Sequence, residues 1–550
     1  MSALANVFDY HERTKHHFQR HAASLGHMDW ANQPHPFRYY EGAVVARFEF
    51  SGERTRFAYE RLYEPNAVPP APLNLETLSD FFYYGLALSA WKASGVSRWA
   101  LRVNPSSGNL HPTEAYVWLE SLDGQQDTPG VFHYVSETHS LERRASLPRD
   151  VWQSLLGHLP LGSFLLGLSS IIWREAWKYG ERAFRYCQHD MGHAVAALRF
   201  SAALCGWQLI LVPSWSTEDV AILLGLHRQE GFLPEESEEP ELLALVLPNN
   251  VDATLPATLP PASQAIIDTI SSANWYGRAN ELSREHVHWP VIDDVITATK
   301  APRGERSTPS LSEMDNGRLR GVPATDVDAR QIIYQRRSCL ALDGKSATSR
   351  DTFLRMISRT LPGPHPPWDA LYWPTMIHLA VFVHRVDGLA QGLYFLVRDP
   401  EKKDLLRESM NKTFVWQTPP GVPEAFPLYL LVEADCRDTA RAVSCHQDIA
   451  ADGFFSLGMI AEFEEPIRHH GAWFYRNLFW EAGMIGQVLY LEAEAAGARS
   501  TGIGCYFDDP VHEVLGLHGN RFQDLYHFTV GVHVDDPRLQ TWAPYSDVDR

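Results

Sequence analysis

Cysteine is scarce in this chain, at six residues in 550. That density excludes a disulfide scaffold, and Cys436, Cys445 and Cys505 have no zinc-like spacing among them. Positive charge is short as well: 48 Lys and Arg stand against 67 Asp and Glu, for a net charge of −19. Such a balance argues against nucleic acid, whose phosphates are held by clustered cations, although a local basic pocket for one phosphate remains compatible with it. Long apolar runs are missing. The longest stretch, about Leu159 to Trp173, is too short to cross a bilayer. The first twenty residues have no apolar core of the signal-peptide kind. No Gly-x-Gly-x-x-Gly opens a helix, so the dinucleotide fingerprint is absent. The expectation is a protein of a reducing cytoplasm with neither nucleic-acid nor membrane partners.

What is present is ordinary in bulk and unusual in pattern. The hydrophobic fraction is 45% and the charged fraction 21%, values typical of large globular cores. Gly206 and Gly497 lie 291 positions apart, and the same offset places Arg185 on Arg476, Gly192 on Gly483, Leu198 on Leu489 and Ala202 on Ala493. Leu224-Gly225-Leu226-His227 falls on Leu515-Gly516-Leu517-His518 without a gap. At a different offset, Gly130 to Tyr134 resembles Gly392 to Leu396. A gapless match across helix, loop and helix points to an internal duplication. Arg182 to Cys205 and Arg476 to Ala496 lack proline and end at glycines, which predicts two long, mostly buried helices. Short buried strands are expected at 116–119, 210–212, 242–247, 379–386, 428–432 and 528–534. The class is therefore mixed α and β. Proline-rich stretches suggest an N-terminal extension (1–72), a first core (73–250), a connector (251–328) and a second core (329–550).

Four segments carry candidate chemistry. Arg336-Arg337-Ser338 sets two guanidiniums and a hydroxyl in a row, suited to a phosphate dianion. Asn104-Pro105-Ser106-Ser107-Gly108-Asn109 combines small residues, which let backbone approach a flat ligand, with donors and acceptors suited to an imide-bearing ring. Ser500-Thr501-Gly502-Ile503-Gly504-Cys505 offers backbone amides beside two glycines. Lys178-Tyr179, just before the first long helix, supplies a proton acceptor and donor if burial lowers the lysine pKa. His189 and His193 stand at metal-ligand spacing but sit on a helix expected to be core. Cys445-His446-Gln447-Asp448 is expected to open a core helix running through Ile449-Ala450-Ala451 and Phe454-Phe455.

Taken together, Arg102 to Tyr116 and Trp173 to Tyr186 resemble patterns of the nitroreductase-like flavoproteins, and within them the SagB/ThcOx-type dehydrogenases. The resemblance spans both cores, with the second more divergent. It implies an α+β fold in which two tandem nitroreductase-like α/β sandwich domains form an intramolecular pseudo-dimer. It implies FMN at their interface. Arg336, Arg337 and Ser338 would grip the phosphate, and Pro105, Ser106, Ser107 and Asn109 would contact the flavin. Gly502, Ile503 and Gly504 would face flavin N5, and Arg538 would be a C-terminal basic residue near the phosphate. Lys178 and Tyr179 would be catalytic.

The first core has no Arg-Arg-Ser at its start. The second has Leu371-Tyr372-Trp373-Pro374-Thr375 in place of the serine loop, and His469-His470-Gly471 in place of Lys-Tyr. One FMN per chain is thus expected, rather than two. The implied function is FMN-dependent oxidation of an azoline-like heterocycle on a small molecule or modified peptide. The alternatives are an NAD(P)H-dependent nitro or quinone reductase and a non-catalytic flavin-binding scaffold for a partner enzyme. Further homo-oligomerisation is left open. The stretch Tyr10-His11-Glu12-Arg13-Thr14-Lys15-His16 resembles leaders of the same subgroup.

Overall fold

A computed structural model describes residues 2–50, 55–121, 128–228, 231–251, 259, 261–304 and 327–545. Most of the two proline-rich linkers, at 252–258, 260 and 305–326, lies outside the described residues.

The two halves share a six-strand order, to which the first adds Val44–Arg47 and Asn274–Trp275 along its Ser140–Ser146 strand. In the first, the strand order is Ser140–Ser146, Gly130–Val135, Thr113–Leu119, Phe164–Ser170, Glu239–Pro248, Trp207–Leu211. In the second it is Leu428–Glu433, Gly392–Leu396, Ile377–Val383, Phe455–Glu462, Phe522–Gly531, Arg499–Ile503. Every pairing along both paths is antiparallel. The apolar run at 159–173 contains one of these strands, Phe164–Ser170. Among the described residues no helix is long and apolar enough to cross a membrane.

The expected long helices span Ala183–Leu204 and Phe474–Ala495 and pack on each other at the centre. Gly192 and Gly483, matched by the 291-residue offset, meet at the crossing. A Cβ on Gly192 would overlap the Trp480 carbonyl, and one on Gly483 would overlap the His189 carbonyl. Absence of side chains here lets two backbones touch. The inner sheet faces and both helices share one hydrophobic core, while each outer sheet face has its own. The architecture is an α+β pseudo-dimer of two sandwiches within one chain.

The other matched glycines are caps. Gly225 and Gly516 take left-handed conformations after the helices Thr217–Leu224 and Asp508–Leu515. The next leucine in each case closes the turn, Leu226 N–H onto the Ala221 carbonyl and Leu517 N–H onto the His512 carbonyl, a Schellman closure. Gly206 and Gly497 take the same left-handed conformation after the long helices, at φ of +69° and +70°.

Three differences from the sequence reading stand out. The core helix expected after Cys445 is only Ile449–Asp452; Gly453 ends it, and Phe455–Glu462 is a central strand. A continuous apolar run fits a buried strand as well as a helix, and pairing on both sides decided the matter. Secondly, the connector is structured over 261–304, with helices Gln264–Ser271 and Pro290–Ala298. Thirdly, the N-terminal helix Ala3–Arg13 docks on both halves: His11 bonds Gln523 and Tyr475, and Arg13 pairs with Glu181.

Candidate functional site

The serine loop follows strand Ser97–Arg102 and turns through Gly108, Asn109 and His111, all at positive φ (58°, 61° and 51°). Asparagine tolerates that region better than most residues. Polar side chains hold the turn. Ser107 donates from its N–H and Oγ to Asp190, at 2.9 and 3.0 Å. Ser106 Oγ accepts the His111 N–H at 2.8 Å. Asn109 Nδ2 donates to the Ala100 carbonyl at 2.7 Å, and its Oδ1 meets His111 Nε2 at 3.0 Å. Ser107 and Asn109 therefore shape the loop from within, rather than presenting all their polar atoms to a ring.

Arg336-Arg337-Ser338 enters from the second half, at the end of helix Ala329–Gln335. Ser338 bridges in parallel to Ser500, adding this segment beside the glycine strand. Arg336 is buried and donates from Nε to the Val103 carbonyl (2.8 Å) and from Nη2 to the Arg102 carbonyl (3.0 Å), which ties the halves together. Its Nη1 is buried with no hydrogen-bond partner. Arg337 donates to the carbonyls of Tyr334, Arg336 and Ser89. Burial, then the adjacent Arg336 charge, pushes the Arg337 pKa down to about 10. Tyr490 Oη links the segments, 2.8 Å from Ser338 Oγ and accepting the Gly502 N–H at 3.0 Å. The Gly502 amide is thus satisfied internally. Side chains at Gly502 and Gly504 would overlap Tyr526 and Tyr186, so this strand is glycine because aromatic rings press against it.

Lys178 and Tyr179 end the helix Ile172–Tyr179, with Gly180 at φ +54° breaking it before the long helix. Both reach the serine loop: a Cβ on Gly108 would stand 2.6 Å from Tyr179 Oη and 3.0 Å from Lys178 Nζ. Burial lowers the Lys178 pKa and raises that of Tyr179. Two acids lie behind them. Burial lifts Asp190 to about 7 and Glu175 well above the carboxylate range, the latter helped by the charge of Asp190.

All these segments line one cavity of about 490 Å³, which includes Pro105, Ser106, Ser107, Asn109, Lys178, Tyr179, Arg336, Arg337, Ser338, Gly502, Ile503 and Gly504. Of the expected site residues only Arg538 is not brought there. Its side chain is 82% exposed and pairs with Asp536 in the turn before the C-terminal strand Gln540–Trp542. Lys92 lines the cavity instead, from the strand against which Gln540–Trp542 pairs. The sequence reading also missed Asp190, Tyr186, Tyr490 and Tyr526 as lining residues. One signal was available: Asp190 is a lone carboxylate in a helix patterned for burial. His189 and His193 diverge, bonding the Leu525 carbonyl and Tyr526 Oη respectively.

The mirror position is closed. The pocket lined by Leu211, Glu241, Tyr372, Trp473, Arg476 and Trp480 measures about 30 Å³. Arg476 fills it in ion pair with Glu241 at 2.7 Å. One device survives on both sides: Glu481, at the offset from Asp190, accepts the Met376 N–H at 3.0 Å, as Asp190 accepts that of Ser107. Purified chain is accordingly expected to bind one flavin and not two. Chromatography of flavin released per chain checks this, and a ratio near two would mean that the space filled by Arg476 and Glu241 opens.

No family model matches the chain. A solved structure from Anabaena variabilis, described as a nitroreductase, aligns over 96% of this chain and 99% of its own, with TM-score 0.67 and 21% identity. A Methanocaldococcus jannaschii protein that carries the name of a nitroreductase is 23% identical over 160 residues, which is 28% of this chain and 75% of that protein. A chain of the E. coli microcin synthetase McbBCD complex with truncated pro-MccB17 aligns over 44% of this chain and 92% of its own, with TM-score 0.27 and 18% identity. The alignment with the Anabaena structure runs through both halves, and the resemblance read from the sequence holds at the level of architecture: this chain has the nitroreductase-like fold.

Proposed function

We propose that the chain is an FMN-dependent oxidoreductase of the SagB/ThcOx type that oxidises an azoline-like heterocycle on a small molecule or modified peptide. The observation that carries the reading is the single cavity in which Arg336 from one half meets the serine loop and Lys178-Tyr179 from the other. The residues suit FMN. At about 490 Å³ the cavity is within the usual range for ligand sites. Arg336, Arg337 and Lys92 bring like charges together beside an unpartnered Arg336 Nη1, a setting that an anionic phosphate would relieve.

Bound FMN would supply a two-electron hydride acceptor. The chain's own residues handle the proton. Lys178, with its pKa lowered by burial, is the acceptor; Tyr179, raised by burial, keeps its proton and orients the substrate through Oη. Below its folded pKa Lys178 is protonated and cannot accept, so kcat/KM rises with pH through a limb lying below the ordinary lysine range. Lys178→Ala is expected to keep one FMN per chain, lose that limb and slow turnover of a thiazoline-containing peptide by roughly 100- to 10,000-fold. Unchanged turnover sinks the assignment. Brisk NADPH-driven reduction of a nitroaromatic with no azoline oxidation favours the reductase reading; retained flavin with neither turnover favours the scaffold.

A further inference from the structure

The glycine strand runs into Cys505, which lines the cavity. Cys445 stands against it from a separate loop, the two Sγ atoms 2.8 Å apart. The other four cysteines are buried, whereas these two are partly exposed. The chain is bent to deliver Cys445: it and His446 both sit at positive φ, 53° and 58°, a region non-glycine residues hold only where the surrounding structure imposes it. Gln447 fixes the contact, donating from Nε2 to the Ser444 carbonyl at 3.0 Å and the Cys505 carbonyl at 2.9 Å. Arg182 lies beside the pair, its Nη2 donating to the Gly504 carbonyl at 3.4 Å. The contact between the sulfurs lowers the Cys505 pKa against burial, with the Arg182 charge lowering it further and the Asp508 carboxylate opposing; the same contact and burial raise that of Cys445. Cys505 is the sulfur at the cavity wall, and so the one that a molecule entering the cavity meets first.

His16 and His21 bring ring nitrogens close to Cys505 Sγ, all within 4.8 Å of one another. This is poor metal-ligand chemistry. His16 Nδ1 accepts the Ala22 N–H at 2.9 Å, which places the imidazole's own proton on Nε2. Neither nitrogen then offers a free lone pair.

The geometry points to a thiol–disulfide exchange site at Cys505 and Cys445, whose substrate is a low-molecular-weight disulfide entering by the cavity. This site shares its cavity with the flavin reading, but the exchange itself needs no flavin. The Cys505 thiolate attacks one sulfur of the incoming disulfide; that S–S bond breaks, and the first small thiolate leaves. Cys445 gives up its proton and attacks the Cys505 sulfur of the mixed disulfide, and the second small thiolate leaves. Two protein thiols become one disulfide, one small disulfide becomes two thiols, and the two protein thiol protons end on the leaving groups.

The test uses the full chain, reduced, freed of reductant and incubated with oxidised glutathione. Free thiols counted in denaturant are expected to fall from six to four, with a Cys445–Cys505 peptide link found by mass spectrometry and flavin content unchanged. C445S is expected to stop at a glutathione adduct on Cys505, and C505S to give neither link nor adduct. Six thiols remaining overturns the proposal, as do separate adducts on both cysteines without a link. Bound zinc that shields the thiols until a chelator is added overturns it in favour of a metal site. The thiol count on the unmodified chain decides even if a variant misfolds.

Discussion

Replacing Arg336 and Arg337 together with alanine is expected to give a folded protein that does not retain flavin. Arg336 bonds the first half's backbone and leaves a buried Nη1 without a partner. Truncating one side of a buried, hydrogen-bonded charge pair typically costs about 2–5 kcal/mol, or roughly 30- to 4,000-fold in flavin affinity. The absorbance spectrum and released flavin per chain read the loss. Circular dichroism and the thermal midpoint of the flavin-free forms separate it from unfolding, because Arg336 also holds the carbonyls of Arg102 and Val103. Arg336→Lys keeps the charge but loses the fork that spans two carbonyls, so its affinity is expected to fall between wild type and the double variant. If flavin stays bound at one per chain without both arginines, the composite site is wrong.

Gly192→Val is expected to be among the most destabilising single changes in the chain. Its first side-chain atom would occupy the space of the Trp480 carbonyl and press on Gly483. Backbone cannot rotate away as a side chain can, so the helices Ala183–Leu204 and Phe474–Ala495 must separate through the shared core. Overpacking of this kind costs about 1–3 kcal/mol, and more where nothing yields. Gly483→Val, at the offset position, is expected to match it, because a Cβ there meets the His189 carbonyl. Gly231→Ala, where a Cβ has nothing within 4 Å, is the control and is expected to change little. Thermal unfolding of the flavin-free proteins checks the ranking. Equal midpoints for Gly192→Val and Gly231→Ala would mean that the helices do not cross as described.

The glycine matches show how far the sequence reaches. Gly206, Gly225, Gly497 and Gly516 lie where left-handed caps are required, and a cap is a local feature set by one residue's backbone freedom. The long helices were legible for a similar reason: 22 residues without proline, with apolar side chains recurring at helical spacing and a glycine at the end, favour a helix locally. The decay of the mirror site was also visible, since Tyr372 and Trp373 stand where small residues would be needed. The structure adds how it closed, with Arg476 and Glu241 paired in the residual space.

The environment of each site residue was decided elsewhere. Arg538 and Lys92 are both cations, yet the turn before Gln540–Trp542 exposes one, while the strand Leu88–Ser94 brings the other to the cavity. Asp190 became the anchor of the serine loop, and Ser107 and Asn109 turned inward to hold it. Cys445 and Cys505, sixty positions apart, meet only because two loops converge beside Gln447. The sequence by itself determined the doubled architecture, its capped helices and the segments that carry charge and small residues, because those follow from each residue's own backbone and side-chain preferences. The tertiary structure alone decided which polar atoms face the cavity, which pKa values burial moves and which of two symmetry-related pockets stays open, because those depend on contacts between residues far apart in the chain.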